Sequence, residues 1–243
     1  QVNQSFFYSI GDLDQLREFA RGASLEITQL APGKMSGELA HIDLGESSIH
    51  VNRLNLPARG RGSLSPSRWT FVLFPTTVAA RFNGFEIDSS DLLVYPPGSE
   101  FDGVTTQAFE DWVFTVDYEE LAMVYWATSR RQLPELPRSV ARLRPDPKCL
   151  ARLRRIASAT LITAEASPVL FCEDPIRHSI HFQILNQIAE TIVSATSQVL
   201  PQMNSTNSHS HIVKQIEDKI CEEIEVPMTL TELCAAARVS ERT

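Results

Sequence analysis

Residues Thr229–Thr243 read TLTELCAAARVSERT. Thr229 and Glu232 stand at capping-box spacing. The Thr hydroxyl accepts from the Glu232 amide, and the Glu carboxylate reaches back to the Thr229 N–H. Leu230, Leu233 and Ala236/Ala237 then supply the inward face of a short helix. A tight turn around Arg238-Val239 follows. Ser240 has the character of an N-cap for a second helix, which Glu241-Arg242-Thr243 begins. Helix, turn, Ser-capped helix is the outline of a helix-turn-helix, whose second helix enters the major groove of DNA, and a capping box on an Ala-rich helix is equally an element of many helical bundles. Just upstream, Ile212, Ile216, Ile220 and Ile224, with Val213, stripe one face of a helix predicted to end near Glu225, before Pro227.

The chain has 243 residues, 43% hydrophobic and 21% charged, enough for one large or two ordinary domains with a real core. Its net charge is −8. A DNA-binding face must be basic, so these residues by themselves are predicted to bind DNA poorly. No apolar run reaches the ~18 residues of a transmembrane helix, and the start has no secretory pattern. The chain opens on Gln1 rather than Met, which predicts a trimmed N-terminus. Cys149, Cys172, Cys221 and Cys234 are scattered, with no C-x-x-C pair, which fits a reducing cytoplasm.

Residues 1–117 read as mostly β. Ser24–Leu30, Gly37–Leu44, Ser48–Leu56, Arg68–Phe74, Val78–Phe82, Phe85–Ile87, Leu92–Tyr95 and Trp112–Val116 are short, apolar and separated by turn residues. Asn83-Gly84 is a type I′ hairpin signal. Only Asp12–Ala20, capped by Asp12, looks helical there. Many short strands mean a sandwich or a barrel. From Tyr118 the period becomes helical, over Tyr118–Ser129, Asp146–Ala164 and Pro175–Leu200, with Pro147 and Pro175 at helix starts. Residues 118–200 form this helical region, 201–210 (PQMNSTNSHS) a polar linker, and 211–243 the segment with the opening motif.

The stretch VPMTLTELCAAARVSER closely resembles the start of the DNA-binding domain of the AraC/XylS family of bacterial transcription regulators. Cys234 stands where that family usually has Ala, and Arg238 where its turn usually has Gly. The N-terminal part resembles the family's cupin-like effector domain, through Gly84 and Asp91-Leu92-Leu93-Val94-Tyr95-Pro96-Pro97-Gly98. Leu30–Glu38 is similar to the branch containing ethanolamine-utilisation regulators. The resemblance implies an α+β fold: a cupin-like β-barrel, a helical dimerisation region, and the start of a helix-turn-helix. It further implies a cytoplasmic, homodimeric, ligand-responsive regulator whose partners are DNA and a small-molecule effector. Ser240, Arg242 and Thr243 would then open the recognition helix and meet phosphates or base edges. Its rivals are a partner-regulated or ligand-free dimerisation module and a metal-dependent cupin enzyme.

Metal-binding cupins use a His-x-His pair, a Glu, and a further His after P-x-G. Here Phe101 stands where the downstream His would be. His41 and His50 are not spaced as a pair, and His50-x-Asn52 offers one imidazole and one amide. His209-x-His211 has no Cys or carboxylate companion nearby. His178 and His181 share a helix face and read as ordinary packing or surface residues. There is no nucleophile elbow, phosphate loop or H-E-x-x-H, and Ser36-Gly37 and Arg61-Gly62-Ser63 read as turns. The chain is therefore expected to be no enzyme and to carry no cofactor or metal.

A barrel without a metal set can still hold a small ligand. Trp69, Phe71 and Leu73 alternate on one strand face, and Trp112, Phe114 and Val116 on another, a pattern that serves a packed core as well as a pocket wall. Ile49, Val51, Arg53 and Asn55 share a face, so an inward Ile49 draws Arg53 toward the interior. Its partner would be Glu38, Asp43 or a ligand carboxylate, unless the guanidinium reaches solvent at the strand end. Arg53, Asn55, Trp69 and Trp112 are thus the candidate effector contacts. Ile176, Ile180, Ile184, Ile188 and Ile192 form a broad stripe, open either to dimerisation, as the resemblance implies, or to packing on the chain's own β part. The Arg-rich stretch between Arg130 and Arg155 suits DNA phosphates, a partner domain or a solvated face.

Overall fold

A computed structural model of the chain describes residues 6–22, 25–75, 79–195, 212, 215–216, 219–220 and 228–240. It divides into two compact units, Gln1–Leu200 and Pro201–Thr243.

The first unit opens with β1 (Phe6–Ile10), α1 (Leu13–Gly22), β2 (Leu25–Gln29), β3 (Gly37–Asp43), β4 (Ser47–Leu54), β5 (Ala58–Ser63) and β6 (Trp69–Leu73). It continues through β7 (Ala80–Phe82), β8 (Phe85–Ile87), β9 (Leu92–Tyr95), β10 (Glu100–Thr105) and β11 (Phe109–Val116). Then come α2 (Tyr118–Ser129), β12 (Ala141–Leu143), α3 (Pro147–Ala166), a 3-10 turn at Pro168–Cys172, and α4 (Asp174–Ser194). The fold class is α+β, as expected. The β part is two antiparallel sheets rather than a closed barrel: a seven-stranded one ordered β1-β3-β4-β11-β6-β9-β12 and a five-stranded one ordered β2-β5-β10-β7-β8.

Local chemistry explains many element ends. Asp12 Oδ1 accepts from the Gln15 N–H at the start of α1. Asp117 caps α2 and Asp146 caps α3, where Pro147 stands in the first turn. Asn83 (φ 46°) and Gly84 (φ 83°) join β7 to β8 through the left-handed pair a type I′ turn requires. At Gly37 a Cβ would lie 2.1 Å from the Arg53 carbonyl oxygen, so β3 can lie against β4 there only without a side chain.

β1, β5, β10 and β12 lie outside the strands the pattern predicted. β5 is ARGRGS, so Arg61-Gly62-Ser63 is strand rather than turn. It is held by ladders to β2 on one side and β10 on the other. Backbone pairing decides it, against the low strand propensity of Arg and Gly.

The seven-stranded sheet is covered on both faces. One face carries Ala40, Ile42, Ile49, Val51, Phe71, Leu73, Leu92, Val94, Trp112, Phe114 and Val116. It packs against Leu121 and Val124 of α2, Leu153 and Leu161 of α3, and Ile184, Leu185 and Ile188 of α4. The other face meets the five-stranded sheet through two smaller clusters. One joins Val72, Phe74, Leu93 and Tyr95 to Phe82 and Ile87. The other joins Ile10, Leu39 and Leu54 to Ala58 and Leu16 of α1. A sheet buried on both sides reads as continuous apolar runs, with little contrast between the two parities.

The Arg-rich stretch is partly consumed here. Arg142 and Arg144 reach the fully buried Asp91 at 3.8 and 3.3 Å, and Arg154 donates to the Phe74 carbonyl at 2.9 Å. These guanidiniums tie the β part to the segment after α2.

In the second unit, residues 212, 215, 216, 219 and 220 are helical, as the isoleucine stripe predicts; Val213 and Ile224 lie outside the described residues. α5 (Leu230–Ala236) follows.

Candidate functional site

Between the two sheets lies a cavity of about 100 Å³. Leu39, Asn52, Leu54, Phe109 and Asp111 line it from the seven-stranded sheet; Leu25, Ile27, Ala58, Gly60, Phe82, Phe101, Gly103 and Thr105 line it from the other; Leu16 of α1 closes it. Two glycines shape the wall. A Cβ at Gly103 would meet the Phe82 ring at 2.6 Å and Phe101 at 2.9 Å, and one at Gly60 would meet Phe101 at 3.0 Å. Phe101, which stands in place of a downstream histidine, is thus part of an apolar wall.

The polar exception is a cross-strand pair. Asn52 and Asp111 face each other in the β4–β11 register, and the Asn52 amide donates to Asp111 Oδ1 at 2.7 Å. Asp111 is 5% exposed. Among the described residues its Oδ2 has no hydrogen-bond partner. Burial pushes its carboxyl up to about 7, against the Asn52 bond and with help from nearby Glu110. A buried acid with half its acceptor capacity unused is costly to keep, and such groups concentrate at functional sites.

Farther along the same face, His41 and His50 form a cross-strand pair with Nδ1 atoms 3.3 Å apart. Burial, and then His41, pushes His50 down to about 3. The pair is therefore neutral at physiological pH, one imidazole donating and one accepting. His50 Nε2 also lies 3.1 Å from Ser48 Oγ. Among the described residues no cluster of three or more His, Cys, Asp or Glu is arranged to hold a metal ion.

The structure places the sequence-derived contacts elsewhere. Arg53, Trp69 and Trp112 lie on the helix-facing side of the seven-stranded sheet, opposite the cavity. Arg53 donates to Glu38 at 2.9 Å, one of the two internal candidate partners alongside a ligand carboxylate, and to Glu110 at 3.2 Å. Trp112 Nε1 donates to the same Glu110 at 2.6 Å. Trp69 packs near Tyr118, with ring centroids 6.1 Å apart. Asn55 is exposed and fastens the loop before β3, accepting from the Ser36 N–H at 2.7 Å and donating to the Lys34 carbonyl. Asn52 and Asp111 are one residue out of register with Arg53 and Trp112, and that step reverses the face. The available signal was Asp111 itself, an acid between Glu110 and Trp112 that shares a strand face with Phe109 and Val113.

The isoleucine stripe is mostly core. Ile184, Ile188 and Ile192 are buried, while Ile176 and Ile180 are half-buried. His181 does more than pack. Its Nδ1 lies 2.7 Å from Ser47 Oγ and its Nε2 3.0 Å from Glu120 Oε2, so it links β4, α4 and α2. Ser47 is fully buried, so this Ser-His-Glu chain presents no nucleophile to a substrate.

In the second unit, both halves of the expected capping box form. The Thr229 N–H donates to Glu232 Oε2 at 2.8 Å, and the Glu232 N–H to Thr229 Oγ1 at 3.4 Å. α5 ends in a Schellman motif: Val239 N bonds the Cys234 carbonyl at 3.0 Å and Arg238 N the Ala235 carbonyl at 3.2 Å. Arg238 sits at φ 54°. Left-handed backbone costs a non-glycine residue roughly 1 kcal/mol. Arg238→Gly is therefore expected to stabilise this unit by about 1 kcal/mol, read as helicity against temperature; an unchanged or lowered midpoint would refute the strain. Ser240 is exposed beyond this turn. Arg242 and Thr243 lie outside the described residues.

No protein-family profile matches the sequence, and no curated protein matches it significantly. Among solved structures, the AraC-like transcriptional activator CuxR matches 97% of this chain and 85% of its own, with a TM-score of 0.53 at 12% identity. The chain has the fold of an AraC-like regulator. Looser likenesses are to ToxT from Vibrio cholerae O395 bound to (E)-4-(8-methylnaphthalen-1-yl)but-3-enoic acid (TM-score 0.39, 11% identity, 82% of this chain and 73% of that one). Bacillus subtilis oxalate decarboxylase matches at a TM-score of 0.29 and 14% identity, over 47% of this chain and 29% of that one. In this AraC-like fold no described helix is long and apolar enough to cross a membrane.

Proposed function

We propose that the protein is a non-enzymatic, effector-responsive regulator of transcription. In this reading residues 1–117 bind a small molecule between the two sheets, residues 118–200 support self-association, and the segment from 211 onward reads DNA. The observation that carries it is the extent of the fold match, which spans 97% of the chain and so includes the β part, the helices and the C-terminal unit together. The capped α5, its tight turn and the exposed Ser240 support a recognition helix starting at Ser240. A ligand in the cavity acts by favouring one arrangement of the molecule over another. A homodimer would draw on what α2 and α4 leave exposed, notably Met123, Trp126 and Phe182, since Ile184, Ile188 and Ile192 are spent on the core.

The test joins DNA selection to a blocked cavity. The product of the whole gene is expected to enrich a common sequence from a random DNA pool. Transcription from a promoter carrying that sequence should respond to extract of the host's metabolites. Ala58→Leu, which adds three carbons to the cavity wall, should retain DNA binding and lose the response. Enrichment of no sequence, or an undiminished response in A58L, would overturn the reading.

A further inference from the structure

The cavity's chemistry narrows its ligand. We infer that the space between the sheets selects a compact, mostly apolar monoamine, its ammonium group on the Asp111 carboxylate and its hydrocarbon body among Leu16, Ile27, Leu54, Phe101 and Phe109. This rests on the reading of the cavity as an effector site.

Five observations meet here. Among the described residues Asp111 is the single ionisable side chain in the cavity wall, so the wall they form has a sign, and that sign is negative. Asn52 occupies Oδ1, which fixes the carboxylate's orientation and leaves Oδ2 as the acceptor still available to a ligand. The remaining wall is apolar but for Thr105, whose hydroxyl is already engaged with the Ala58 N–H and carbonyl at 3.0 and 3.3 Å. Phe82, Phe101 and Phe109 add aromatic rings to the wall, and a ring that turns its face to the ligand attracts a cation. The volume limits the body: about 100 Å³ is less than the ~150 Å³ of an engineered apolar cavity that takes benzene. That leaves room for about four carbons and a nitrogen.

Head-group physics separates the alternatives. An ammonium supplies the charge that the buried carboxylate lacks and donates to Oδ2. A hydroxyl donates but leaves the charge unbalanced. A carboxylate meets a like charge in a poorly solvated space and is excluded. Affinity should therefore fall from amine to alcohol to acid on one constant body.

The test uses isobutylamine, isobutanol and isobutyrate, titrated at pH 8 into the 243-residue chain, with binding followed by NMR shifts of the Asn52 side-chain amide. Isobutylamine is expected to bind at least tenfold more tightly than isobutanol, with isobutyrate weakest. In Asp111→Asn the amine's advantage should shrink to threefold or less while isobutanol still binds. Amine and alcohol binding equally to the unmodified chain would overturn the amine preference and leave the cavity a ligand site. Saturation by none of the three would overturn both this inference and the cavity's effector role. The head-group series in the unmodified chain decides the matter even where the variant is unstable.

Discussion

Asp111→Asn is expected to stabilise the protein at pH 8 by on the order of 3 kcal/mol, and by progressively less as the pH is lowered toward 4. In the folded chain burial holds this carboxyl at about 7, against the ordinary 3.8 of an exposed aspartate. Between those values the folded state keeps a proton that the unfolded state has released. Stability from this group is therefore fully present below about 3.8, declines as the pH rises through 7, and is flat beyond. The gap between the two values, at ~1.4 kcal/mol for each tenfold change in proton affinity, sets the ceiling. Asparagine fills the same space, accepts the Asn52 bond through its carbonyl, and has no charge to desolvate. His50 pulls the other way. Its pKa is pushed below the usual 6.5 to about 3, so its share of stability is lost as the pH falls from 6.5. The overall profile of the unmodified chain thus mixes two opposing slopes, and the difference between variant and parent isolates Asp111. Urea unfolding at pH 5 and pH 8 measures it. A difference independent of pH would mean that Asp111 is not buried as an uncompensated acid. A gain in stability bought by removing a buried charge is what a binding residue, kept for function, should show.

Ile188→Ala is expected to cost about 3–4 kcal/mol, within the range for a fully buried branched side chain. Ile188 is 0% exposed, in the layer where α4 meets α2, α3 and the seven-stranded sheet. Truncation removes methyl groups from a packed core and leaves a void that the surrounding strands and helices cannot close. The same substitution in a dimer seam would act differently: it would weaken association and make the unfolding midpoint depend on protein concentration. The expected shift is instead the same at dilute and concentrated protein. A small loss of stability coupled to a large loss of dimer would return the stripe to the interface.

The opening fifteen residues illustrate how far local chemistry can be read. The Thr229–Glu232 box, the short helix and the tight turn at Arg238 follow from side chains within a few residues of one another. The same holds for Asn83-Gly84, for the Asp12 cap of α1, and for α2 itself, whose ends match the sequence pattern. Such features depend on short-range sterics and hydrogen bonds, which the order of residues specifies directly. β5 marks the limit: ARGRGS becomes a strand because two neighbours offer it ladders, and neither neighbour is adjacent in the chain.

The candidate site lay further from view. Strand alternation correctly groups Ile49 with Val51 and Arg53, and Trp112 with Phe114 and Val116. It does not say which group faces the other sheet, because helices bury one side of this sheet and strands bury the other. Asn52 and Asp111 are 59 residues apart and meet through register alone. His181, unremarkable as a helical histidine, acquires Ser47 and Glu120 the same way. The sequence by itself determined the helices of the first unit, eight of its strands, the Thr229 capping box, the Asn83-Gly84 turn and the resemblance that pointed to a regulator. Only the tertiary structure decided which polar groups share the cavity, since alternation sorts residues into two faces but the second sheet, distant in the chain, is what turns the Asn52–Asp111 face from a solvent face into a cavity wall.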